Sequence, residues 1–328
     1  MAHTQPIRTS VEQSAATRRV SRGVLQRTRI VFRKYGFYYL LALPGLLYFL
    51  VFHYLPMMGI VIAFKDISPY DAVHDILYGE WVGFTNFTRF FNSIYFWNVL
   101  SNTLIISGLK LLFAFPASLV LALLINEVRH TPFKRVVQTI SYMPHFLSIV
   151  VVAGLITNLF STSQGPINGL IREMGQQPIS FLTHPEYFRQ ILVAGHVWQT
   201  VGWGTILYLA AMANVPQELY EAAAIDGANR FQQIIYITLP SIAFVIVILF
   251  LFAVGNLLNA GFEQILLLYS PAVYSVADII DTYVYRQGLL SLDYSYAAAV
   301  NLFKSGIAMV LLLGANQLAR KLGQPGLW

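Results

Sequence analysis

The chain has 328 residues, of which 56% are hydrophobic and only 11% are charged. A soluble globular protein carries about 25% charged residues, and a disordered chain has far fewer hydrophobic ones, so both classes are excluded. In a soluble protein the net charge of +6 would suggest nucleic acid, but in so apolar a chain no nucleic-acid partner is predicted. The lack of cysteine excludes disulfides, thiolate nucleophiles and cysteine metal sites. We therefore expect an integral membrane protein.

The first apolar segment, Phe37–Phe64, is long enough at 1.5 Å per residue to cross a hydrocarbon core of about 30 Å. Eight Lys or Arg residues and one acid, Glu12, precede it. Such a basic region could belong to a signal peptide, but this apolar stretch is too long and no convincing cleavage site follows. We predict an uncleaved span after a basic cytoplasmic tail, residues 1–35.

Five further apolar segments complete a predicted all-α membrane protein with six spans. They are Val99–Ile125, Val136–Phe160, Ile191–Val215, Ile242–Leu268 and Ala297–Leu318. The fourth span of the six is the least apolar, with His196, Trp198, Gln199 and three glycines. Because small residues let helices approach closely, this span is predicted to pack inside the bundle.

The distribution of basic residues predicts the orientation. With six spans both termini lie on one side, whose segments hold 14 Lys and Arg residues against five on the other side. Acidic residues, among them Asp278 and Asp281, lean toward the other side. By the positive-inside rule both termini are cytoplasmic. The transmembrane domain is predicted at residues 36–321, followed by a cytoplasmic tail, 322–328.

The predicted outside loop 65–97 contains an aromatic-rich run, Trp81–Phe87. Aromatic side chains commonly form a belt at the membrane interface, and they also serve as docking surfaces for partner proteins. Both interpretations remain open from the residues.

The predicted cytoplasmic segment 214–240 contains two short helices separated by a turn. Pro216 suits the first turn of a helix, and Glu218 and Glu221 follow near the N-terminus, where acids are favoured. Asp226-Gly227 supplies the turn, and a second helix with apolar residues on one side follows. Such a pair is either an interfacial helix or a plug for a groove in a cytoplasmic partner.

The same segment resembles the EAA loop of bacterial ABC importer permeases. Glu221-Ala222-Ala223 is followed after three residues by Gly227, and after nine more by Ile237 and Leu239-Pro240. In that family the loop forms the coupling helices that dock onto the nucleotide-binding subunits. The residues that the resemblance implies at the ATPase interface are Glu221, Ala222, Ala223, Asp226 and Gly227.

The resemblance implies a type I ABC importer permease fold in a bacterial inner membrane. It implies a second, homologous permease subunit, two ATPase subunits that bind ATP and magnesium, and a periplasmic or extracellular solute-binding protein. The chain itself would bind no cofactor and would move its substrate by alternating access.

Three segments indicate the branch of the family. Residues 82–87 are similar to the outside loop of sugar-importer permeases, and residues 258–264 and 278–286 are similar to the polysaccharide-type branch. Within that branch the chain is most similar to permease subunits of bacterial alginate importers. The implied substrate is an oligo- or polysaccharide, with alginate as one candidate.

No GxxxxGK[ST], HExxH or GxSxG sequence is present, so no catalytic residue is assigned. His53, His145 and His196 fall within predicted spans, where a core or pore-lining histidine is favoured over a metal site. An ATP-independent secondary transporter and an intramembrane enzyme are the alternative functions. The EAA-like loop argues against the first, and the lack of a catalytic motif argues against the second.

Polar residues inside the fifth span are candidates for a substrate pathway. Asn256, Asn259 and Glu263 repeat at spacings of three and four, which would place them on one helical face, with Gln264 beside them. They either hydrogen bond between helices or line a path for a hydroxyl-rich substrate. Two tryptophans of the fourth span are candidates for stacking on sugar rings: Trp198 and Trp203.

Two lysines fall inside predicted spans, Lys110 near the midplane and Lys304 nearer an end. A lysine at the bilayer centre costs about 2.5–3.5 kcal/mol. One interpretation pairs one of them with Glu263, the only acid placed in a span. In the other, one or both face the cavity and attract a polyanionic saccharide, because the predicted membrane interior is net cationic.

Overall fold

The computed structural model describes residues 34–321, 323 and 326, without the side chains of residues 72 and 73. Nearly all of the predicted basic tail 1–35, and most of the predicted C-terminal tail 322–328, lie outside the described residues. The chain divides into two units, residues 1–61 and residues 62–328.

Helix α1, Lys34–Phe64, contains the described part of the first unit and ends just past the unit boundary. Its side chains are mostly apolar and exposed, as expected for a span solvated by lipid. Proline has no amide hydrogen for the helical ladder, and α1 changes its winding around Pro56. A π-helical turn, Leu50–Tyr54, precedes the proline, and a 3-10 turn, Met58–Phe64, follows it.

The second unit is helical, with one isolated antiparallel bridge, Lys65–Trp81, among the described residues. Its helices, in chain order, are α2 (Ala72–Tyr78), α3 (Thr85–Phe91), α4 (Phe96–Glu127), α5 (Thr131–Phe146), α6 (Ile149–Leu159), α7 (Pro166–Glu173), α8 (Pro185–Ala213), α9 (Gln217–Ile225), α10 (Arg230–Ser241), α11 (Ala243–Gly255), α12 (Phe262–Leu268), α13 (Tyr274–Ala277), α14 (Ile280–Tyr285) and α15 (Tyr294–Lys321).

Within the described part of the chain, three helices are long and apolar enough to cross a membrane: α1, α4 and α15. Two bent pairs raise the number to five if each pair is one span. These are α5 with α6, bent by 100°, and α10 with α11, bent by 66°. Helix α8 has 29 residues, enough to cross, but it is too polar to be counted with them. The chain is therefore an all-helical membrane protein with three to five candidate spans.

The predicted third span, 136–160, is not one straight helix. Helix α5 ends in a 3-10 turn that contains Pro144, and Leu147 is extended. Ser148 then begins α6 as its N-cap, accepting the amide hydrogen of Val151 at 3.3 Å. A proline followed by an N-cap residue ends one helix and starts another, whereas hydropathy registers only a continuous apolar run.

The predicted fifth span, 242–268, is also interrupted. After α11 a 3-10 turn covers Leu257–Asn259, and the next two residues, Ala260 and Gly261, have positive φ angles of 46° and 82°. Two successive left-handed residues cannot continue a right-handed helix, so α12 starts anew.

Helices α4 and α8 pack along each other in the second unit. A Cβ atom at Gly204 would collide with Ser118 of α4, and a Cβ atom at Gly202 would collide with the Ser141 carbonyl of α5. The α8 glycines thus permit the close helix packing predicted for the fourth span. Apolar side chains from α4, α6, α8 and α12 form a buried cluster.

The aromatic-rich loop is anchored by polar contacts. Asn86 is buried and donates to the Ala63 carbonyl at 3.2 Å. Lys65 donates from Nζ to carbonyls near the end of α2, at 2.9 and 3.1 Å. Trp81 and Phe84 remain exposed. The choice between an interfacial belt and a docking surface stays a prediction.

Candidate functional site

The segment between α8 and α10 contains α9 and a left-handed turn. Gly227 follows α9 with a φ of 82°. The Ala228 amide donates to the Ala223 carbonyl at 2.8 Å, and the Gly227 amide donates to the Ala224 carbonyl at 3.1 Å. These two bonds are those of a Schellman C-cap. A Cβ atom at Gly227 would meet open space, so backbone conformation rather than packing favours glycine there.

Helix α10 begins with a capping box. The Asn229 side chain accepts the Gln232 amide hydrogen at 2.9 Å, and the Gln232 side chain accepts the Asn229 amide hydrogen at 2.8 Å. Arg230 pairs with Glu127 of α4 at 2.8 Å. Tyr220 of α9 also forms a hydroxyl–hydroxyl hydrogen bond to α10, at 2.9 Å. These contacts join α9, α10 and the C-terminal end of α4.

The α9–α10 pair presents apolar side chains at its surface. The large apolar residues exposed there are Leu219, Ile225, Phe231, Ile235 and Tyr236. Of the residues predicted at the ATPase interface, Ala223 is half-buried and the others are exposed: Glu221, Ala222, Asp226 and Gly227. Exposed apolar residues grouped on a short helical pair are typical of a protein interaction site.

Two cavities adjoin the interruption between α11 and α12. The larger has a volume of about 830 Å³ and the smaller about 420 Å³. Five residues line both cavities: His145, His196, Thr200, Asn259 and Gly261. The two cavities therefore adjoin along a wall that is rich in hydrogen-bonding groups.

Six of the eight predicted pathway residues line these cavities. Asn259, Glu263 and Gln264 line the larger one, and Lys110, Asn256, Asn259 and Trp203 line the smaller one. Trp198 lies elsewhere, in a third cavity of about 890 Å³ bounded by α4 and α8. Lys304 lines neither of the first two.

The predicted common helical face of Asn256, Asn259 and Glu263 is wrong. The interruption before α12 places Asn256 and Asn259 ahead of the left-handed turn and Glu263 after it. Asn259 nevertheless belongs to both cavities, because the turn itself forms part of their wall.

Lys110 of α4 holds the turn between α11 and α12. Its Nζ donates to the Ala260 carbonyl and to Gln264 Oε1, both at 2.8 Å, and the residue is 5% exposed. Gln264 Nε2 in turn donates to the Leu192 carbonyl of α8 at 3.2 Å. A Cβ atom at Gly261 would collide with Lys110 Nζ. Hydrogen bonds thus connect α4, the turn and α8.

Lys304 of α15 pairs with Asp281 of α14. Its Nζ lies 2.6 and 2.8 Å from the two Asp281 carboxylate oxygens and 3.2 Å from Asn259 Oδ1. The predicted pairing of a lysine with Glu263 is wrong, since Glu263 enters none of the ion pairs between described residues. Asp281, which the sequence placed outside, neutralises Lys304, and the net positive charge of the membrane interior stays a prediction.

Two histidines and one aspartate line the cavities although the sequence does not single them out as pathway residues. His145 stacks on Trp203, with ring centroids 4.5 Å apart and 7° between the planes. His145 and His196 were given two alternatives, core or pore-lining, and the structure places both at the cavity walls. Asp281 was missed because no local pattern links it to Lys304, 23 positions later. A lysine inside a span without a nearby acid was the available signal.

Comparison with known protein families matches residues 114–324 to the model described as "Binding-protein-dependent transport system inner membrane component". The matched residues include the whole segment 214–240 and both parts of the interrupted fifth span.

Individual proteins are similar over most of the chain. Protein LplB of Bacillus subtilis (strain 168) is 50% identical over 290 residues, 88% of this chain and 90% of LplB. The polygalacturonan/rhamnogalacturonan transport system permease protein YteP of the same strain is 46% identical over 290 residues, 88% of this chain and 89% of YteP.

Two solved structures are also similar. One is a bacterial ABC transporter involved in the import of the acidic polysaccharide alginate, with a TM-score of 0.84, 41% identity and coverage of 90% of this chain and 99% of that chain. The other is a bacterial alginate ABC transporter in complex with an alginate pentasaccharide-bound periplasmic protein. Its TM-score is 0.83 at 40% identity, with 90% of this chain and 98% of that chain covered.

Proposed function

The chain belongs to the family of binding-protein-dependent transport system inner membrane components, the permeases of ABC importers, and from this premise we propose that it imports an acidic oligosaccharide or polysaccharide. It is a transport subunit for oligo- or polysaccharides and not an enzyme. Two similar proteins support the acidic class: one is named for polygalacturonan, whose repeating unit is a uronic acid, and the other for alginate.

The observation that carries the proposal of a saccharide substrate is the adjoining pair of cavities. Their common wall offers imidazole, hydroxyl and amide groups, which suit a ligand covered with hydroxyls. The flat Trp203–His145 stack gives the smaller cavity an aromatic surface for a sugar ring. The pathway would include Asn256, Asn259, Glu263, Gln264 and Lys110, whereas the positions of Trp198 and Lys304 favour structural roles for both.

The proposed topology has six spans, with α8 as the span whose composition is most polar. A helix enclosed by other helices tolerates polar residues that lipid would not, and α8 packs against α4 through glycine contacts. Both termini would be cytoplasmic, which places the α9–α10 pair in the cytoplasm as well.

The proposed assembly contains a second permease, two ATPase subunits that bind ATP and magnesium, and an external solute-binding protein. The α9–α10 pair would dock onto an ATPase subunit through its exposed apolar residues, with Glu221, Ala222, Ala223, Asp226 and Gly227 at or near the contact. Closure of the ATPase subunits would then move the spans through α10, α11 and α4, and the cavities would open to each side in turn.

The test is uptake by the purified assembly in proteoliposomes. Oligogalacturonate, oligoalginate and a neutral oligosaccharide of equal length are each supplied with the cognate binding protein, with and without internal ATP. We expect ATP-dependent uptake of at least one acidic saccharide and little of the neutral one. Uptake driven by an ion gradient without ATP would contradict the ABC mechanism, and preference for the neutral saccharide would contradict the acidic substrate.

A further inference from the structure

The side-chain amino group of Lys110 is buried and has no carboxylate partner among the described residues. Its two acceptors are neutral oxygens, the Ala260 carbonyl and the Gln264 side-chain amide. Removing a charge from water is costly unless an opposite charge compensates it. Lys304 has such compensation from Asp281, at 2.6 Å, and Lys110 does not. An ammonium group has three N–H donors, and only two have acceptors in the described residues.

Ser107 lies one turn before Lys110 on the same face of α4. It is 3% exposed, and its Oγ is a buried polar atom that forms no hydrogen bond within the described residues. A buried hydroxyl without a partner is uncommon and requires an explanation. Ser107 and Lys110 both line the smaller cavity. Two adjacent groups with unused hydrogen-bonding capacity therefore face the same space.

Lys110 is the one lysine or arginine among the described residues that line the smaller cavity. None of the described residues lining this cavity is an aspartate or glutamate; its titratable groups besides Lys110 are His145 and His196. Glu263 and Asp281 line the larger cavity instead, where Asp281 is neutralised by Lys304. The smaller cavity thus combines a basic amino group, an unpartnered hydroxyl and an aromatic surface at Trp203, in a volume typical of small-molecule sites.

We infer that Lys110 Nζ and Ser107 Oγ form a carboxylate subsite, which binds the carboxylate of a uronic acid residue as the saccharide passes the smaller cavity. This inference rests on the proposed function. The carboxylate supplies the negatively charged partner that Lys110 lacks in the structure. It also accepts a hydrogen bond from the Ser107 hydroxyl. A neutral sugar of the same shape supplies no charge, so the subsite selects acidic saccharides within the membrane, after any selection by a binding protein.

The experiment measures binding to the purified transporter assembly in nanodiscs, without the solute-binding protein. The probes are trigalacturonate and galactotriose, which has a CH₂OH group in place of each carboxylate. We expect the wild-type assembly to bind trigalacturonate at least about tenfold more tightly than galactotriose, as a charge-assisted hydrogen bond allows.

The informative variant is Ser107→Asp, which leaves Lys110 in place and gives it a carboxylate partner three residues away. The matched control is Ser107→Asn, of nearly the same size but uncharged. Ser107→Asp should lose the roughly tenfold preference for trigalacturonate, whereas Ser107→Asn should retain most of it. Equal preference in the two variants would overturn the subsite.

Lys110→Gln and Lys110→Arg provide a second comparison. The first removes the charge and should abolish the preference, and the second keeps the charge and should retain it. The control for general loss of a lysine is Lys321→Gln, at an exposed residue at the end of α15 that lines neither cavity, and this variant should bind like wild type. If ATP-dependent uptake of acidic saccharide is normal in wild type but neither Ser107→Asp nor Lys110→Gln changes the preference, the subsite is refuted and the proposed function stands.

Should Lys110→Gln fail to assemble, the comparison of Ser107→Asp with Ser107→Asn tests the subsite. Both of these variants keep Lys110, which contacts the turn. Should Ser107→Asp also fail, chemical acetylation of Lys110 in the wild-type assembly decides, measured by mass spectrometry. Trigalacturonate should slow the acetylation of Lys110 severalfold more than galactotriose does. Equal protection by the two sugars would overturn the inference.

Discussion

Gly227 shows how one residue can shape the surface proposed for ATPase docking. Its φ of 82° lies in the region that glycine enters at little cost and β-branched residues avoid. The Schellman bonds from Gly227 and Ala228 close α9 at this point. Because a Cβ atom would meet no neighbour, a substitution acts through the backbone conformation alone.

We expect Gly227→Val to destabilise the turn by roughly 1 kcal/mol or more and to impair coupling, with membrane insertion intact. The measurements are transport and substrate-stimulated ATPase activity of the assembly. Gly227→Asn is the control, since asparagine tolerates positive φ, and it should retain more activity. Normal transport and normal stimulated ATPase activity in Gly227→Val would show that the coupling role is mistaken.

At the scale of elements, the turn between α11 and α12 connects the cavities to the helix framework. Ala260 and Gly261 are both left-handed, and Lys110 binds the Ala260 carbonyl from α4. A left-handed alanine costs roughly 1–2 kcal/mol, so the Lys110 contact helps to hold a conformation that the chain would otherwise avoid. The interruption between α11 and α12 therefore depends both on the left-handed turn and on the contact that α4 makes with it.

Gly261→Ala should destabilise the protein for two reasons. Positive φ costs an alanine roughly 1–2 kcal/mol, and the added Cβ would collide with Lys110 Nζ and displace it. We expect a lower melting temperature in detergent and reduced transport. Gly306→Ala is a suitable control, because Gly306 lies inside α15 with open space around it. This variant should gain roughly 0.5–1 kcal/mol of stability. An unchanged melting temperature in Gly261→Ala would mean that Lys110 does not hold the turn.

The pair Lys304–Asp281 joins α15 to α14. Lys304→Gln leaves a largely buried carboxylate without its partner and should destabilise the protein by about 3 kcal/mol, as should Asp281→Asn for the lysine. The double variant Lys304→Gln/Asp281→Asn should recover most of that loss, because neither charge then remains unpaired. Thermal unfolding of the four proteins gives the double-mutant cycle. Additive losses would argue against a direct pair.

At the scale of the whole molecule, the proposed six-span topology would place both termini in the cytoplasm. A reporter fused after Trp328 should be active only when it is of a type that functions in the cytoplasm. A second reporter inserted in the predicted outside loop 65–97 should show the opposite behaviour. Periplasmic activity at the C-terminus would refute the six-span count, with α8 as the first span to reconsider because it is the most polar.

Local patterns in the sequence were sufficient for the membrane class, the spanning helices α1, α4 and α15, and the turn at Gly227. Hydropathy is an average over neighbouring residues. The EAA-like spacing from Glu221 to Leu239-Pro240 likewise lies within one continuous stretch of chain. Such features depend on neighbours along the sequence, which is why the sequence predicts the α9–α10 pair and the turn at Gly227 correctly.

The interrupted fifth span, the partner of Lys304 and the common wall of the two cavities needed three-dimensional contacts. Hydropathy reports how apolar a segment is and not where its backbone ends a helix, so residues 242–268 were read as one span. Lys110 meets Gln264 across 154 positions, and no periodicity relates residues so far apart. The electrostatic energy of a charge in a low-dielectric interior depends mainly on its nearest partners. The packing of the helices determines which partners those are.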